Sequence, residues 1–159
     1  MSHHKKAIYA GTFDPFTKGH ENIIERALKV FDGVTILLAK SPTKKPLFTL
    51  EQRIQMLNEL YADNDKVTID SWEGLVVDYA KEKKIHTLIR GLRPTGDFES
   101  EFQMSSMNNK LFGDIETVFF MTEGQYYFIS STLVRELHSH GGDISDFVPT
   151  AILNHLSKN

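Results

Sequence analysis

Residues 7–20 read AIYAGTFDPFTKGH, and this stretch decides the fold of the chain. Residues 7–10 form a short apolar run that is typical of a buried strand. Gly11 permits a sharp exit from that strand, and Gly19 lets backbone approach a ligand at the start of the next helix. His20 lies in the first turn of this helix, where free N–H groups and the positive end of the helix dipole favour a bound phosphate. The stretch therefore predicts a strand, a binding loop and a helix in direct succession.

Strand and helix patterns alternate along the rest of the chain. Apolar runs of strand length predict strands at residues 7–10, 34–39, 67–69, 87–89 and 118–120. Helices are predicted after Gly19, from a Thr49-x-x-Gln52 capping box, over residues 75–84, from a cap at Asp97 to Gly113, over residues 131–139 and near the C-terminus. Five alternations imply a parallel sheet that is covered on both faces. The predicted fold class is α/β: a Rossmann-like, doubly wound sheet of five parallel strands, formed by one domain over residues 1–159.

The composition excludes several classes of protein. A chain of 159 residues fits one domain that buries its own core. It has no cysteine, which excludes a disulfide framework, a thiolate metal site and a thiolate nucleophile. Its net charge of -3 argues against a nucleic-acid binder. No apolar run approaches the roughly 20 residues of a membrane span, and no signal-peptide core precedes the first strand. We expect a cytoplasmic protein that binds neither nucleic acid nor membrane.

Positively charged and hydroxyl side chains follow the predicted strands, at the edge of the sheet where ligands bind. His20 comes after the first strand, Lys44 and Lys45 after the second, Arg90 and Arg93 after the fourth, and the hydroxyls of residues 130–132 after the fifth. Such a set fits a polyanionic ligand. The first loop has neither the G-x-G-x-x-G pattern of dinucleotide oxidoreductases nor the G-x-x-x-x-G-K-[ST] pattern of a P-loop.

Each of these residues also has a purely structural interpretation. A lone histidine is more often a core or surface residue, but the Gly-x₇-Gly-His spacing directly after a strand favours a phosphate site for His20. Lys44 and Lys45, taken alone, fit a solvated loop better than a site. Arg90 and Arg93 at the end of a buried strand are costly unless they are paired or face a ligand. The other six histidines show no metal-ligand spacing: His3, His4, His86, His138, His140 and His155.

Four motifs along the chain resemble a known family. Residues 9–15 and 17–20 resemble the nucleotidylyltransferase superfamily signature, whose active-site motif reads [HT]-x-G-H, and residues 129–135 resemble its second signature, I-S-S-[ST]-x-x-[KR]. Within that superfamily the chain is similar to the phosphopantetheine adenylyltransferases. That similarity rests on residues 41–46, 88–93, 97–99, Glu101 and 107–108.

The resemblance implies an activity and a set of partners. Members of the family make 3′-dephospho-coenzyme A and pyrophosphate from ATP and 4′-phosphopantetheine. They use Mg²⁺ that is held mainly by the nucleotide, so no protein metal ligand is expected. They assemble as homohexamers, and coenzyme A inhibits them.

The resemblance also assigns site residues. It implies that Thr12, Lys44 and Arg90 hold the phosphate of phosphopantetheine, and that Val76, Met107 and Asn108 line its arm. The ATP-binding residues that it implies are Thr12, Phe13, His20, Gly91, Leu92, Arg93, Glu101, Tyr126, Tyr127, Phe128, Ile129, Ser130, Ser131 and Thr132. The catalytic residues are expected to be His20, Lys44 and Arg93.

These residues suffice for adenylyl transfer without a general base. A phosphate monoester has a second pKa of about 6, so the nucleophile is already largely dianionic at neutral pH. We expect His20 to donate to the α-phosphoryl group in the transition state, while Lys44, Arg90 and Arg93 offset the repulsion between the two anions. Ser131 and Thr132 are expected to hold the β- and γ-phosphates at the start of their helix.

Two alternatives remain open from the sequence. The first is a sister enzyme that acts on another phosphate, such as nicotinamide mononucleotide or glycerol phosphate. The cytidylyl relatives resemble R-T-x-G-x-x-[ST] in the second motif, which is absent here, and the nicotinamide relatives usually carry histidine where this chain has Thr17. The second alternative is a nucleotide-binding regulator without catalysis, which would need neither His20 nor Lys44.

Overall fold

The computed structural model describes residues 5–40, 46–94 and 96–156. Within those ranges five strands form one sheet: β1 (Lys6–Gly11), β2 (Gly33–Ala39), β3 (Val67–Trp72), β4 (Thr87–Leu92) and β5 (Glu116–Met121). The strand order is β3-β2-β1-β4-β5, and every neighbouring pair is parallel. The predicted Rossmann-like α/β fold with five parallel strands is confirmed. The order reverses between β1 and β4, and open parallel sheets bind their ligands at such a switch point.

Six helices connect and follow the strands in the described part of the chain. They are α1 (Lys18–Ala27), α2 (Leu50–Leu60), α3 (Val76–Lys83), α4 (Asp97–Leu111), α5 (Ser131–Ser139) and α6 (Thr150–Leu156). The Thr49–Gln52 capping box is confirmed: the Thr49 hydroxyl accepts from the Gln52 amide, and the Gln52 side chain accepts from the Thr49 amide. β3, β4 and β5 continue beyond their predicted ends because their last residues still pair in register with the neighbouring strands.

The core has two layers, one on each face of the sheet. Ala7 and Tyr9 of β1 pack with buried side chains of α1, α2, α5 and α6. Ile8, between them, points to the other face and packs with Tyr79 and Ala80 of α3. This alternation places four helices on one face and α3 on the other, and α4 contacts β4 and β5. The doubly wound arrangement follows from it.

The start of α4 differs from the prediction that Asp97 caps it. Gly96 is the N-cap residue, with a φ of 75° that favours glycine, and Asp97 is the first helical residue. The Asp97 carboxylate instead accepts a hydrogen bond at 2.8 Å from Nε of Arg93. An ion pair with a strand-end arginine therefore replaces the expected cap.

α4 exposes an apolar surface. None of its 15 residues is buried. Five of its large apolar side chains are exposed, and we call them together the α4 surface: Phe98, Phe102, Met104, Met107 and Leu111. Phe98 and Phe102 contact each other, with ring centroids 5.9 Å apart. None of the described helices combines the length and the apolar character that a membrane crossing requires.

Candidate active site

A large cavity lies at the carboxyl ends of the strands, beside the switch point between β1 and β4. Its volume is about 1480 Å³. Fourteen of the predicted site residues line it: Thr12, Phe13, His20, Val76, Arg90, Gly91, Arg93, Glu101, Asn108, Tyr126, Ile129, Ser130, Ser131 and Thr132. The structure thus brings residues from both signature motifs, from residues 88–93 and from α4 to one cavity.

The loop between β1 and α1 has a shape that the sequence did not predict. Phe13, and not a glycine, adopts the left-handed conformation there, with a φ of 48°. A Cβ atom on Gly11 would lie 3.0 Å from the Phe13 ring, so the ring would have to shift by a few tenths of an ångström to make room for it. Glycine at position 11 therefore gives the Phe13 ring room to pack against the backbone, and it does so without a positive φ. Because residues of this loop line the cavity, the shape of the loop determines part of the cavity wall.

The two signature motifs lie against each other. The Ser131 hydroxyl donates to the Pro15 carbonyl at 2.8 Å. Gly19 faces Tyr126, and a Cβ atom on it would lie 3.9 Å from both Cβ and the carbonyl oxygen of Tyr126. That is an ordinary van der Waals distance, so this contact does not itself require glycine at position 19. The helix start and the segment that enters α5 form one wall of the cavity.

His20 is held in a fixed orientation by its own helix start. The Thr17 amide donates to Nδ1 of His20 at 3.0 Å, and the Thr17 hydroxyl accepts from the His20 amide at 3.4 Å. Thr17 is the N-cap residue of α1, so the histidine takes the place that Glu or Gln has in an ordinary capping box. Three aromatic rings surround the imidazole: Tyr9 at 6.2 Å, Phe13 at 5.0 Å and Phe16 at 5.3 Å between centroids.

The surroundings of His20 keep its imidazole neutral. Burial among the aromatic rings, together with the nearby guanidinium groups of Arg93 and Arg90, lowers the pKa of His20 to about 3. Because Nδ1 accepts from a backbone N–H, the single proton of the neutral ring lies on Nε2. The ring therefore offers one N–H donor. It cannot act as an acid or a base near neutral pH.

Both strand-end arginines pair with carboxylates of α4. Arg90 binds Glu101 through two hydrogen bonds, of 2.7 Å from Nε and 2.6 Å from Nη2, and also donates to the Ala10 carbonyl at 3.0 Å. Arg93 donates to Asp97 at 2.8 Å and 3.3 Å. Both arginines are thus paired within the chain, so neither carries the free-energy cost of an unpaired buried charge. Each fork keeps N–H groups that can bind a phosphate without breaking its ion pair.

Hydroxyls at the start of α5 already have protein partners. Ser130 accepts from the Leu133 amide as the N-cap, Ser131 donates to Pro15, and Thr132 accepts from Arg135. A helix leaves its first amides without intrahelical partners. The groups that a phosphate would meet at this helix are therefore the backbone N–H groups of Ser131 and Thr132 more than their hydroxyls, on which the sequence prediction relied.

Some predicted residues lie elsewhere. The cavity wall does not include Leu92, which is buried in the sheet, or Met107, Tyr127 and Phe128, whose side chains are exposed. The side chain of Leu92 points to the opposite face of the sheet from that of its neighbour in β4, because strand residues alternate between faces. Met107 belongs to the exposed α4 surface. Lys44 lies outside the described residues, so its role stays a prediction.

Asp14, Arg53 and Arg135 are among the cavity residues to which the sequence assigned no role. Asp14 and Arg53 are the two buried charged side chains among the described residues. A signal for Arg53 is present in the sequence, because it lies three residues after Leu50 and four before Leu57, on the apolar stripe of α2. A charged residue at such a position must have buried polar partners.

The described carboxylates of the cavity already have hydrogen-bonding partners within the chain. Asp97 and Glu101 bind arginines, Glu73 pairs with Lys40 at 3.0 Å, and Asp14 accepts from the amides of Leu47 and Phe48. In the described ranges no three His, Cys, Asp or Glu residues cluster as a metal would require. Magnesium needs oxygen ligands that are free to bind it, and nucleotide phosphates supply them.

Comparison with known proteins agrees with the architecture. The model of a family described as Cytidylyltransferase-like matches residues 8–137. Among solved structures, a similar one is the crystal structure of a bifunctional NMN adenylyltransferase/ADP ribose pyrophosphatase from Francisella tularensis, with a TM-score of 0.74 and 20% sequence identity. The similarity covers 98% of this chain and 49% of that one, so this chain spans about half of that protein's length. At such identity the likeness shows the fold. Because the family model spans most of the chain, including both signature motifs, the chain belongs to the cytidylyltransferase-like family of the nucleotidylyltransferase superfamily.

Proposed function

We propose that the protein transfers the adenylyl group of ATP to 4′-phosphopantetheine and releases pyrophosphate. The observation that carries this proposal is the neutral His20 imidazole, held with its Nε2–H as a donor in the cavity that Arg90 and Arg93 also line. A fixed neutral donor near two cations suits a transition state in which negative charge develops on a phosphoryl group. The acceptor is inferred from the motif resemblance.

The two substrates would approach from the two faces of the sheet. His20 and the start of α5 belong to the face with four helices, where the nucleotide triphosphate would bind. Val76, at the start of α3, and Asn108 of α4 line the cavity from the other face. The apolar side chains of Leu75 and Met104 also line this second part, which suits the pantetheine arm. Arg90, at the end of β4, lies between the two faces and would hold the phosphate of the acceptor.

The chemistry needs positioning and charge stabilisation. An oxygen of the acceptor phosphate attacks the α-phosphorus of ATP and forms a new P–O bond, while the bond from that phosphorus to pyrophosphate breaks. Nε2–H of His20 donates to the α-phosphoryl oxygen. Arg90 and Arg93 offset the charge of the approaching phosphate, and the first amides of α5 hold the departing pyrophosphate. Mg²⁺, carried by the nucleotide, would neutralise phosphate charge.

Pyrophosphate release from a panel of nucleotides and phosphate acceptors tests the proposal. With Mg²⁺, we expect release from ATP when 4′-phosphopantetheine is added, and poor release from CTP. Turnover with another acceptor and none with phosphopantetheine would contradict the assignment. ATP binding without turnover with any acceptor would favour the regulator instead.

A second acceptor is supported by one observation. The similar structure from Francisella tularensis is that of a bifunctional NMN adenylyltransferase/ADP ribose pyrophosphatase, and the same fold can present another phosphate to His20. We therefore propose nicotinamide mononucleotide as the alternative acceptor. Competition between the two acceptors at fixed ATP distinguishes them, because the true substrate has the higher kcat/KM.

We also propose that the protein is a homohexamer and that coenzyme A inhibits it. The support for self-association is the α4 surface, which leaves large apolar side chains uncovered in a single chain. The support for inhibition is chemical, since coenzyme A contains both the pantetheine arm and the adenylyl group for which the two parts of the cavity are proposed. Inhibition that is competitive with both substrates would agree with it.

A further inference from the structure

We propose that Arg53 and Arg135 are positioning residues for His20: they hold the backbone carbonyls on either side of Phe13 and thereby keep the Phe13 ring against the imidazole. Arg53 belongs to α2 and Arg135 to α5, so two helices fix one loop. The inference rests on the proposed function for its catalytic consequence. The contacts on which it depends all lie within the described residues 9–20, 48–53 and 131–135.

Arg53 is buried, and its guanidinium group donates to backbone carbonyls. Only 6% of the residue is exposed. Its Nη1 donates to the Thr12 carbonyl at 2.5 Å, and its Nε donates to the Phe48 carbonyl at 3.2 Å. Among the described residues no carboxylate forms a salt bridge with it, although burial penalises its charge. A buried guanidinium whose hydrogen bonds go to carbonyls serves to fix those carbonyls.

Arg135 holds the next part of the same loop. Its Nη1 donates to the Asp14 carbonyl at 2.5 Å. The neighbouring Ser131 hydroxyl holds the Pro15 carbonyl at 2.8 Å. The Thr12 carbonyl precedes Phe13 and the Asp14 carbonyl follows it, so two arginine forks restrain the backbone on both sides of this residue.

Phe13 needs this restraint. Its φ of 48° is unfavourable for a residue with a Cβ atom, so the loop would relax if its neighbours were released. Its ring packs edge-on against His20 with centroids 5.0 Å apart, and it fills the space over Gly11. Relaxation of Phe13 would open the apolar surroundings of the imidazole to water. The arginines therefore act on His20 through Phe13.

NMR of the imidazole in the full-length protein tests the inference without any substrate. The variants are Arg53→Lys, Arg135→Lys and Arg53→Met, because lysine keeps the charge but loses the fork. The matched control is Arg26→Lys, since Arg26 also donates to a backbone carbonyl, that of Met121, away from the loop. We expect the His20 ring resonances to shift, and its pKa to rise toward the ordinary value of about 6.5, in the Arg53 and Arg135 variants only.

Steady-state kinetics gives the second readout. In the same variants kcat should fall roughly tenfold to hundredfold, as for a small misplacement of a catalytic group, while KM for ATP stays nearly constant. Unchanged His20 resonances in folded Arg53→Lys and Arg135→Lys proteins would overturn the inference. A wild-type protein that transfers nothing to any acceptor would overturn the proposed function alone, because the NMR comparison would still decide whether the arginines position His20. If Arg53→Met fails to fold, the two lysine variants decide.

Discussion

The Thr17 amide donates to Nδ1 of His20 across 3.0 Å, and this contact decides which ring nitrogen carries the proton. The amide belongs to the N-cap of α1, so the helix start itself selects the tautomer. The opposite nitrogen, Nε2, is left as the donor. The proposed catalytic donor thus depends on a helix cap.

We first predict that His20 does not titrate in the physiological range. Its pKa of about 3 means that the ring stays neutral from pH 5 to pH 8. Long-range ¹H–¹⁵N NMR should show a protonated Nε2 and an unprotonated Nδ1 throughout that interval. Free histidine in the same buffer serves as the reference. Nitrogen shifts that move with a midpoint near 6.5 would contradict this prediction.

The second prediction separates catalysis from binding. His20→Ala should lower kcat by roughly 10²–10³, the scale seen when one donor to a developing charge is removed. ATP affinity should change far less, because the amides of α5 still bind the nucleotide. Equilibrium titration beside single-turnover rates measures the two effects separately. A proportional loss of ATP binding would make His20 a binding residue.

Lys44 provides the contrast in a third prediction. If Lys44 contacts the incoming phosphate, Lys44→Ala should weaken the binding of the acceptor as well as slow the chemistry. Titration of phosphopantetheine and of ATP distinguishes this from the His20 case. Lys45→Ala is the matched control, since it removes a neighbouring charge of the same kind. Equal effects of the two variants would favour the interpretation of both lysines as a solvated loop.

Much of the fold could be predicted from the sequence because its signals are local. Apolar runs mark the strands, and the Thr49–Gln52 box marks a helix start, since both depend on neighbouring residues. The order of the strands and the switch point are not local. The sequence did not predict them, because the alternation of strands and helices indicates only a parallel sheet that is covered on both faces.

Parts of the site could not be predicted because side chains compete for partners across the fold. Glu101 is expected to contact ATP, and the sequence did not predict that both of its oxygens bind Arg90. Ser131 is expected to hold phosphate at the start of its helix, and the sequence did not predict that its hydroxyl donates to the Pro15 carbonyl. These pairings join residues 11 and 116 positions apart, and sequence spacing carries no information about them.

A fourth prediction follows from the buried neutral histidine. In the unfolded chain His20 binds a proton below pH 6.5, whereas in the folded protein it does so only near pH 3. Between these values the unfolded state holds more protons, so the stability that this group contributes is complete above about pH 6.5 and is lost as pH falls toward 3. The slope is at most about 1.4 kcal/mol per pH unit for one proton.

Denaturant unfolding of wild type and His20→Gln between pH 7 and pH 4 measures this slope. Glutamine is an ordinary residue of a capping box, so it can keep the contact with Thr17 but cannot titrate. We expect a shallower loss of stability for the variant. Identical slopes would mean that His20 is protonated in the folded state as well.

The last prediction concerns the α4 surface. Phe98 is 59% exposed and Phe102 is 58% exposed, and together they leave on the order of 200 Å² of aromatic surface uncovered. If self-association buries this surface, the double variant Phe98→Glu and Phe102→Glu should place carboxylates in a desolvated contact and shift the protein to smaller species in light scattering. Val30→Glu is the control, because Val30 is 59% exposed but lies outside α4. The double variant in α4 should also bind the acceptor more weakly, since α4 carries the carboxylates that hold Arg90 and Arg93. Wild type and double variant with the same mass would exclude this surface as the interface.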